Sequence, residues 1–314
     1  MPSLFRKTIP GVVPGAFTAA LGAFTAALGA FPTRLAAADG PVDGAWLTGS
    51  FWDDGQAEIA FYEVERTRNQ YGRADAQRFL VGTYLVKHDY DPEAEAKASA
   101  RADRRVPAFK WALFYEIESG SYQYKRSWVL NAAQADLAPL KSSLASFDWC
   151  SNLYRELSFH PGGTVASLAR SDDYGNRAAS FPRPAGAWPV TALPLLVRAL
   201  DFSSSPSHGF AVLLEDGAAV AARAELAGRE TIETPAGPYE TEKVTVRYEG
   251  AVPSLVGEQA DAAEHYWRAT GPGRLLVKLE AESGRYKMVL VEELRSAYWR
   301  EDFYPRLERV GERP

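Results

Sequence analysis

Cysteine is almost absent: Cys150 is the only one in 314 residues, so no intramolecular disulfide can staple the fold and stability has to come from packing. Histidine is nearly as scarce. His88, His160, His208 and His265 stand far apart without metal-ligand spacing, which argues against a zinc centre. A G-x-S-x-G nucleophile elbow, an H-E-x-x-H helix, a P-loop and a dinucleotide fingerprint are all missing, and with them the common routes to hydrolysis and nucleotide chemistry. Missing too is any basic face, since 35 Lys and Arg are interleaved with 40 Asp and Glu for a net charge of −5. A chain that neutralises phosphates concentrates its cations, so nucleic acid is excluded as a partner. The sequence therefore offers no catalytic residue, no metal ligand and no cofactor, and the expectation is binding without catalysis.

The residues that come nearest to chemistry have plainer explanations. Cys150 lies in Asp148-Trp149-Cys150-Ser151 with nothing basic beside it, which fits a small buried hydrophobe better than an activated thiolate. The pairs Asp53-Asp54, Asp172-Asp173 and Glu292-Glu293 are sequence neighbours. Neighbours on a strand point to opposite faces, so these acids do not form the facing carboxylates of a glycosidase. Glu58 opens a strand among apolar residues, where a buried salt bridge or a hydrogen bond to a tyrosine explains it as well as an acid-base role does.

What is present begins with a leader. Arg6 and Lys7 precede an uncharged apolar stretch over residues 9–31, and the following RLAAAD (34–39) offers Ala36 and Ala38 to a signal peptidase. This predicts a signal peptide over 1–38, cleavage near Ala38 and a periplasmic or secreted protein starting at Asp39. The stretch contains the duplication GAFTAAL at 15–21 and 22–28, which makes it long enough to span a bilayer were it retained as an anchor. No cysteine stands at the cleavage region, so no lipid can be attached there.

Beyond the leader, runs of alternating apolar and polar residues dominate. KVTVRY (243–248) puts Val244, Val246 and Tyr248 on one face, and RLLVKLE (274–280) does the same with Leu275, Val277 and Leu279. Similar runs occur at 58–66, 78–87, 109–118, 122–130, 153–160, 210–215, 223–233, 264–270 and 286–299, predicting about eleven strands. Glycine-bearing turns at 118–122, 234–239, 270–274 and 282–285 pair neighbours as antiparallel hairpins. Helices are expected at 132–147, interrupted at Pro139, and at 191–200, with a solvated charged segment at 91–105. The fold class is mainly β: an antiparallel curved sheet or open, incomplete β-barrel with a few short helices. A cluster of Pro, Gly, Ser and Asn at 171–187 divides the mature chain into β-rich halves, 39–180 and 188–314, separate or in one continuous sheet.

Two resemblances follow from these motifs. Trp52, Gly55, Ala57 and Glu58, then Tyr71-Gly72, then Gly120, Tyr122 and Tyr124, then Trp149-Cys150 resemble a group of uncharacterised exported bacterial proteins that share a Trp-x-x-Gly-x-Ala-Glu opening and a Trp-Cys pair. That group usually has Glu before the Trp and Gly after the Cys, where this chain has Asp148 and Ser151. The C-terminal half, through 228–241, Tyr266-Trp267 and 273–279, is similar to a bacterial envelope domain of unknown function related in fold to the periplasmic lipoprotein carriers. The resemblance implies an incomplete barrel closed by helices over an apolar cavity. It brings no catalytic residues.

The aromatic residues are the remaining constellation. Tyr122, Tyr124 and Trp128 share one face of a strand, Trp111 and Tyr115 one face of the strand before, and Trp149 follows. They are either packed core or the wall of a cavity for a lipid or acyl chain. The expected function is binding of a lipid or other apolar component of the cell envelope. An envelope interaction protein and a hydrolase with an unidentified site are the alternatives. The expected partner is thus a lipid or acyl ligand, with membrane contact but no span once the leader is removed; nothing in the pattern specifies an oligomer.

Overall fold

Period-two alternation resolves into sixteen strands hydrogen-bonded as one sheet. The computed structural model describes residues 41–300 apart from 71–72, 120–121, 150 and 258–260, so the leader and Cys150 lie outside the described residues. In chain order the strands are β1 (Ala57–Gln70), β2 (Arg73–Asp91), β3 (Ala96–Lys97), β4 (Val106–Ser119), β5 (Tyr122–Ala133), β6 (Pro139–Phe147), β7 (Asn152–His160), β8 (Thr164–Ser171), β9 (Arg177–Pro182), β10 (Ala187–Pro189), β11 (Ser207–Leu213), β12 (Ala219–Thr234), β13 (Gly237–Tyr248), β14 (Ala263–Ala269), β15 (Leu276–Ala281) and β16 (Tyr286–Ser296). Two α-helices accompany them, α1 (Gly44–Leu47) and α2 (Leu193–Ala199), with 3-10 turns at Ser50–Asp53 and Val190–Ala192.

The sheet runs β10-β11-β12-β13-β14-β15-β16-β1-β2-β4-β5-β6-β7-β8-β9, with β3 beside β2. Almost every pairing is an antiparallel hairpin between sequence neighbours, and the short parallel pair β10–β11 is the exception. The first and last strands meet in the middle, Ala57 opposite Ser296 and Arg66 opposite Tyr286. The two free edges, β9 and β10, are consecutive in sequence and do not pair, so the sheet is curved and barrel-like but not closed. Both sequence halves contribute to the one sheet.

Inside the curve lies a large apolar core. Ala60, Tyr62 and Val64 of β1, Trp111, Leu113, Tyr115 and Ile117 of β4, and Val244 and Val246 of β13 all point into it. The odd residues of β1 face outward, where Ala57, Ile59 and Phe61 pack with Tyr84, Leu294 and Tyr298. Helix α2 fills the interior, with all seven of its residues buried. A helix of seven residues is far below the length that is stable alone, and one that is apolar all round survives only when enclosed.

Two arginines fix that helix. Arg198, on α2, gives Nη1 and Nη2 to Oε1 and Oε2 of Glu58 at 2.8 Å each, and Nη2 also reaches the Gly273 carbonyl at 2.6 Å. Trp46 and Trp52 stack edge to face at 5.2 Å and flank the same guanidinium at 5.8 and 5.9 Å. Arg268 on β14 caps the other end of the helix, donating to the carbonyls of Val197, Arg198 and Leu200 at 3.0, 3.0 and 2.8 Å while Glu242 holds its far side. Carbonyls that have no partner within a helix are thereby satisfied, and the cation sits at the negative end of the dipole.

Three expectations are corrected. Residues 132–147 do not form a helix but end in strand β6, whose inward positions Ser142, Leu144 and Ser146 are buried in alternation. Serine carries that period, so hydrophobicity alone conceals it. The segment 171–187 is not a boundary between halves, because β9 lies within it. In the turn at 270–274 the left-handed residue is Arg274, φ 46°, and not a glycine. Gly273 serves close approach instead: a Cβ there would lie 2.9 Å from Phe51 and 3.3 Å from Glu58 Oε2.

Candidate functional site

The unpaired edges of the sheet face one another across a seam, and the seam contains a cavity of about 280 Å³. One wall comes from β5, β6 and β7, where register places Trp128 opposite Leu144 and Leu144 opposite Arg155 on the inner face. Leu157, one rung along, stands opposite Ser142. The other wall comes from Val190, Thr191 and Leu213, just before α2 and at the end of β11.

Side chains close the seam where backbone bonds do not. Leu157, Phe159 and Val165 pack against Ala187 and Leu213 as a small separate core. Ser142 and Thr191 share a hydroxyl hydrogen bond of 2.6 Å across the gap, and the Trp188 indole donates to the Leu137 carbonyl at 3.2 Å. Arg155 Nη1 meets Glu215 Oε2 at 2.6 Å, and Ser167 donates to the Glu215 carbonyl at 2.8 Å. Burial raises the Glu215 carboxyl above its ordinary range, an effect Arg155 opposes without cancelling. Beyond this ion pair a second cavity of about 460 Å³ runs along β7, β8 and β9, so Arg155 and Glu215 border both spaces.

One polar atom on the cavity wall is unanswered. Trp128 Nε1 is buried and has no hydrogen-bond partner among the described residues, although buried indole N–H groups ordinarily find one.

The six aromatic residues singled out by sequence do not form one wall. Trp111 and Tyr115 are packed core, 4% and 3% exposed, with the Tyr115 ring 5.1 Å from Phe79. Tyr124 is half-buried beneath Arg68, 5.9 Å from its ring. The side chain of Tyr122 lies outside the described residues. Trp149 is 84% exposed in the connection from β6 to β7, because the helix expected to carry it inward is a strand. Trp128 alone of the six lines the seam cavity. Sequence reasoning missed its partners there, Arg155, Glu215 and Leu213. They come from distant segments, and no local pattern announces that the two sheet edges meet.

The other chemically notable groups are structural. The carboxylate of Glu264 accepts hydrogen bonds of 2.6 Å from the hydroxyls of Tyr248, Tyr266 and Tyr286. Each histidine has its own local partner: Asn131 for His88, Glu95 for His160, the Asp201 carbonyl for His208 and Thr245 for His265. Among the described residues no helix is long and apolar enough to cross a membrane.

No family model matches the chain, and no curated protein matches it either. Solved structures do show similarity. One is a β-barrel-like protein of a domain of unknown function, DUF1849, from Brucella abortus, 7% identical with a TM-score of 0.49, covering 77% of this chain and 98% of that one. Others are an inferred lipoprotein of Parabacteroides distasonis (11% identity, TM-score 0.26, 76% of this chain and 95% of that one) and an inferred exported protein with YmcC-like fold from Bacteroides fragilis (10% identity, TM-score 0.25, 76% and 95%).

Proposed function

We propose that this is an exported envelope protein that holds an apolar or amphipathic molecule in the seam cavity without transforming it. The observation that carries the reading is Trp128: an indole N–H buried on the wall of an otherwise apolar cavity, with no acceptor in the protein. Leaving a buried donor unmade costs about 1 to 3 kcal/mol, a cost that a bound molecule with an acceptor removes. Small-molecule sites combine this kind of apolar lining with a few placed polar groups. The leader supplies the location, and the chain expressed with it should be recovered from the periplasm beginning at Asp39. Recovery of residues 1–38 in a membrane fraction would replace the signal peptide with an anchor.

The test of binding is native mass spectrometry on protein purified from a bacterial host, paired with thermal unfolding in the presence of acyl ligands. Lipid should co-purify and the ligands should raise Tm by mass action. The variant Leu144→Trp, which fills the cavity from its floor, should lose both effects. A lipid-free protein whose Tm no acyl ligand moves would reject the reading.

A further inference from the structure

The seam cavity is short of hydrogen-bond acceptors, and this identifies the headgroup it fits. Trp128 Nε1 has none. Arg155 carries five N–H donors, and among the described residues only Nη1 is engaged, by Glu215. These two residues share one row of the inner face with Leu144 between them. Two strand spacings separate their backbones by roughly 10 Å, which long side chains can bridge toward a common point.

The remaining polar groups around the cavity are already matched. Ser142 and Thr191 bond each other. Glu156 is held by Lys141, Tyr154 and Ser158. Asp216 accepts from the Ala218 amide in its own turn. What stays unsatisfied is a cation with spare donors and an indole N–H.

Glu215 is a replaceable partner for that cation. It reaches Arg155 from the turn between β11 and β12, not from the wall itself, and uses a single carboxylate oxygen. The side chains of Arg155 and Glu215 are 37% and 41% exposed, so solvent reaches the pair and exchange requires no unfolding. The low-dielectric surroundings that raise the Glu215 carboxyl also disfavour its charge there. Moving it into water relieves that penalty.

We propose that the cavity takes an amphiphile with an anionic headgroup, whose carboxylate or phosphate oxygens displace Glu215 from Arg155 and accept from Trp128 while its chain packs against Leu144, Leu157 and Leu213. This rests on the preceding reading of the cavity as a binding site. An anion with two or more oxygens can engage the guanidinium fork more fully than Glu215 does, and charge-assisted bonds of that kind are the strong ones. Because Arg155–Glu215 also ties the two sheet edges together, the same exchange loosens the clasp between the two cavities as the ligand enters.

Calorimetric titration of the mature chain with dodecanoate, dodecyl phosphate, dodecanol and dodecyltrimethylammonium tests the inference. At least one anion should bind tenfold or more tightly than dodecanol, and which anion does so tells carboxylate from phosphate. Arg155→Gln should abolish that margin and leave dodecanol affinity unchanged. Glu215→Gln, which removes the internal competitor, should strengthen anion binding severalfold. Equal affinity for dodecanol and both anions, tighter binding of the ammonium, or a margin that survives in Arg155→Gln would overturn the headgroup assignment while leaving the cavity a binding site. Failure of all four probes to bind would overturn both readings.

Discussion

Glu58 and Arg198, 140 residues apart in sequence, form a two-pronged ion pair in which both side chains are more than nine-tenths buried. The pair ties the middle of the sheet to the helix at its centre. It gives the acid in the Trp-x-x-Gly-x-Ala-Glu opening a structural task, with Trp52 of the same motif packed beside the guanidinium. Removing one partner strands the other charge in a low-dielectric interior, which typically costs 3 to 5 kcal/mol. Denaturant titration of Glu58→Gln and Arg198→Met should show losses of about that size, while the double variant Glu58→Leu/Arg198→Met should recover much of the loss. Single variants no less stable than wild type would show that the pair does not hold the helix.

The turn above that ion pair provides its own control. A Cβ on Gly273 meets the Phe51 ring and the Glu58 carboxylate, whereas one on Gly271 meets nothing within 4 Å. Overpacking of a tight contact costs about 1 to 3 kcal/mol. Gly273→Ala should therefore lower the unfolding midpoint clearly and Gly271→Ala hardly at all. Equal effects would mean that the turn moves freely above the pair.

These residues show what can be read from sequence and what cannot. Val244 and Val246 alternate with polar neighbours, and their inward placement in a strand was legible because one element's chemistry is enough to decide it. The short apolar helix before Leu200 was legible for the same reason. Strand β6 was not, since buried serines satisfied by Thr191 and by backbone leave no hydrophobic period. Glu58 could be seen to want a partner, but not that the partner was Arg198, because sequence spacing says nothing about which segment a curved sheet wraps around. The seam is hardest of all. Its cavity exists only because β9 and β10 fail to pair, and that failure is a property of the whole sheet rather than of any residue.

Glu264 and its three tyrosines predict the alkaline limit of the fold. Burial, reinforced by the Glu264 charge, raises Tyr248, Tyr266 and Tyr286 above the ordinary phenol value of 10.0. Groups that hold their protons more tightly when folded contribute stability that is complete below the unfolded pKa and is lost as pH rises beyond it toward the folded one. Stability should thus be insensitive to these groups below about pH 10 and fall steeply above it, with Tyr286→Phe flattening the slope. Ultraviolet titration of the phenolate band should show the three ionising only as the chain unfolds. Their ionisation in the folded protein at pH 10 would contradict the burial argument.

Two tryptophans at the seam separate packing from binding. Trp188 donates to the Leu137 carbonyl, so Trp188→Phe leaves a buried acceptor unmet and should cost about 1 to 3 kcal/mol. Trp128 donates to nothing in the protein, so Trp128→Phe deletes an unsatisfied donor and loses only part of one ring. Its stability without ligand should lie within about 1 kcal/mol of wild type, since nearly volume-conserving swaps are tolerated. Its affinity for an acceptor-bearing amphiphile should nonetheless fall, because the indole N–H is then missing from the wall. If Trp128→Phe instead destabilises the free protein as much as Trp188→Phe and leaves affinity untouched, Trp128 is core like Trp111, and the seam cavity loses the residue that marks it as a site.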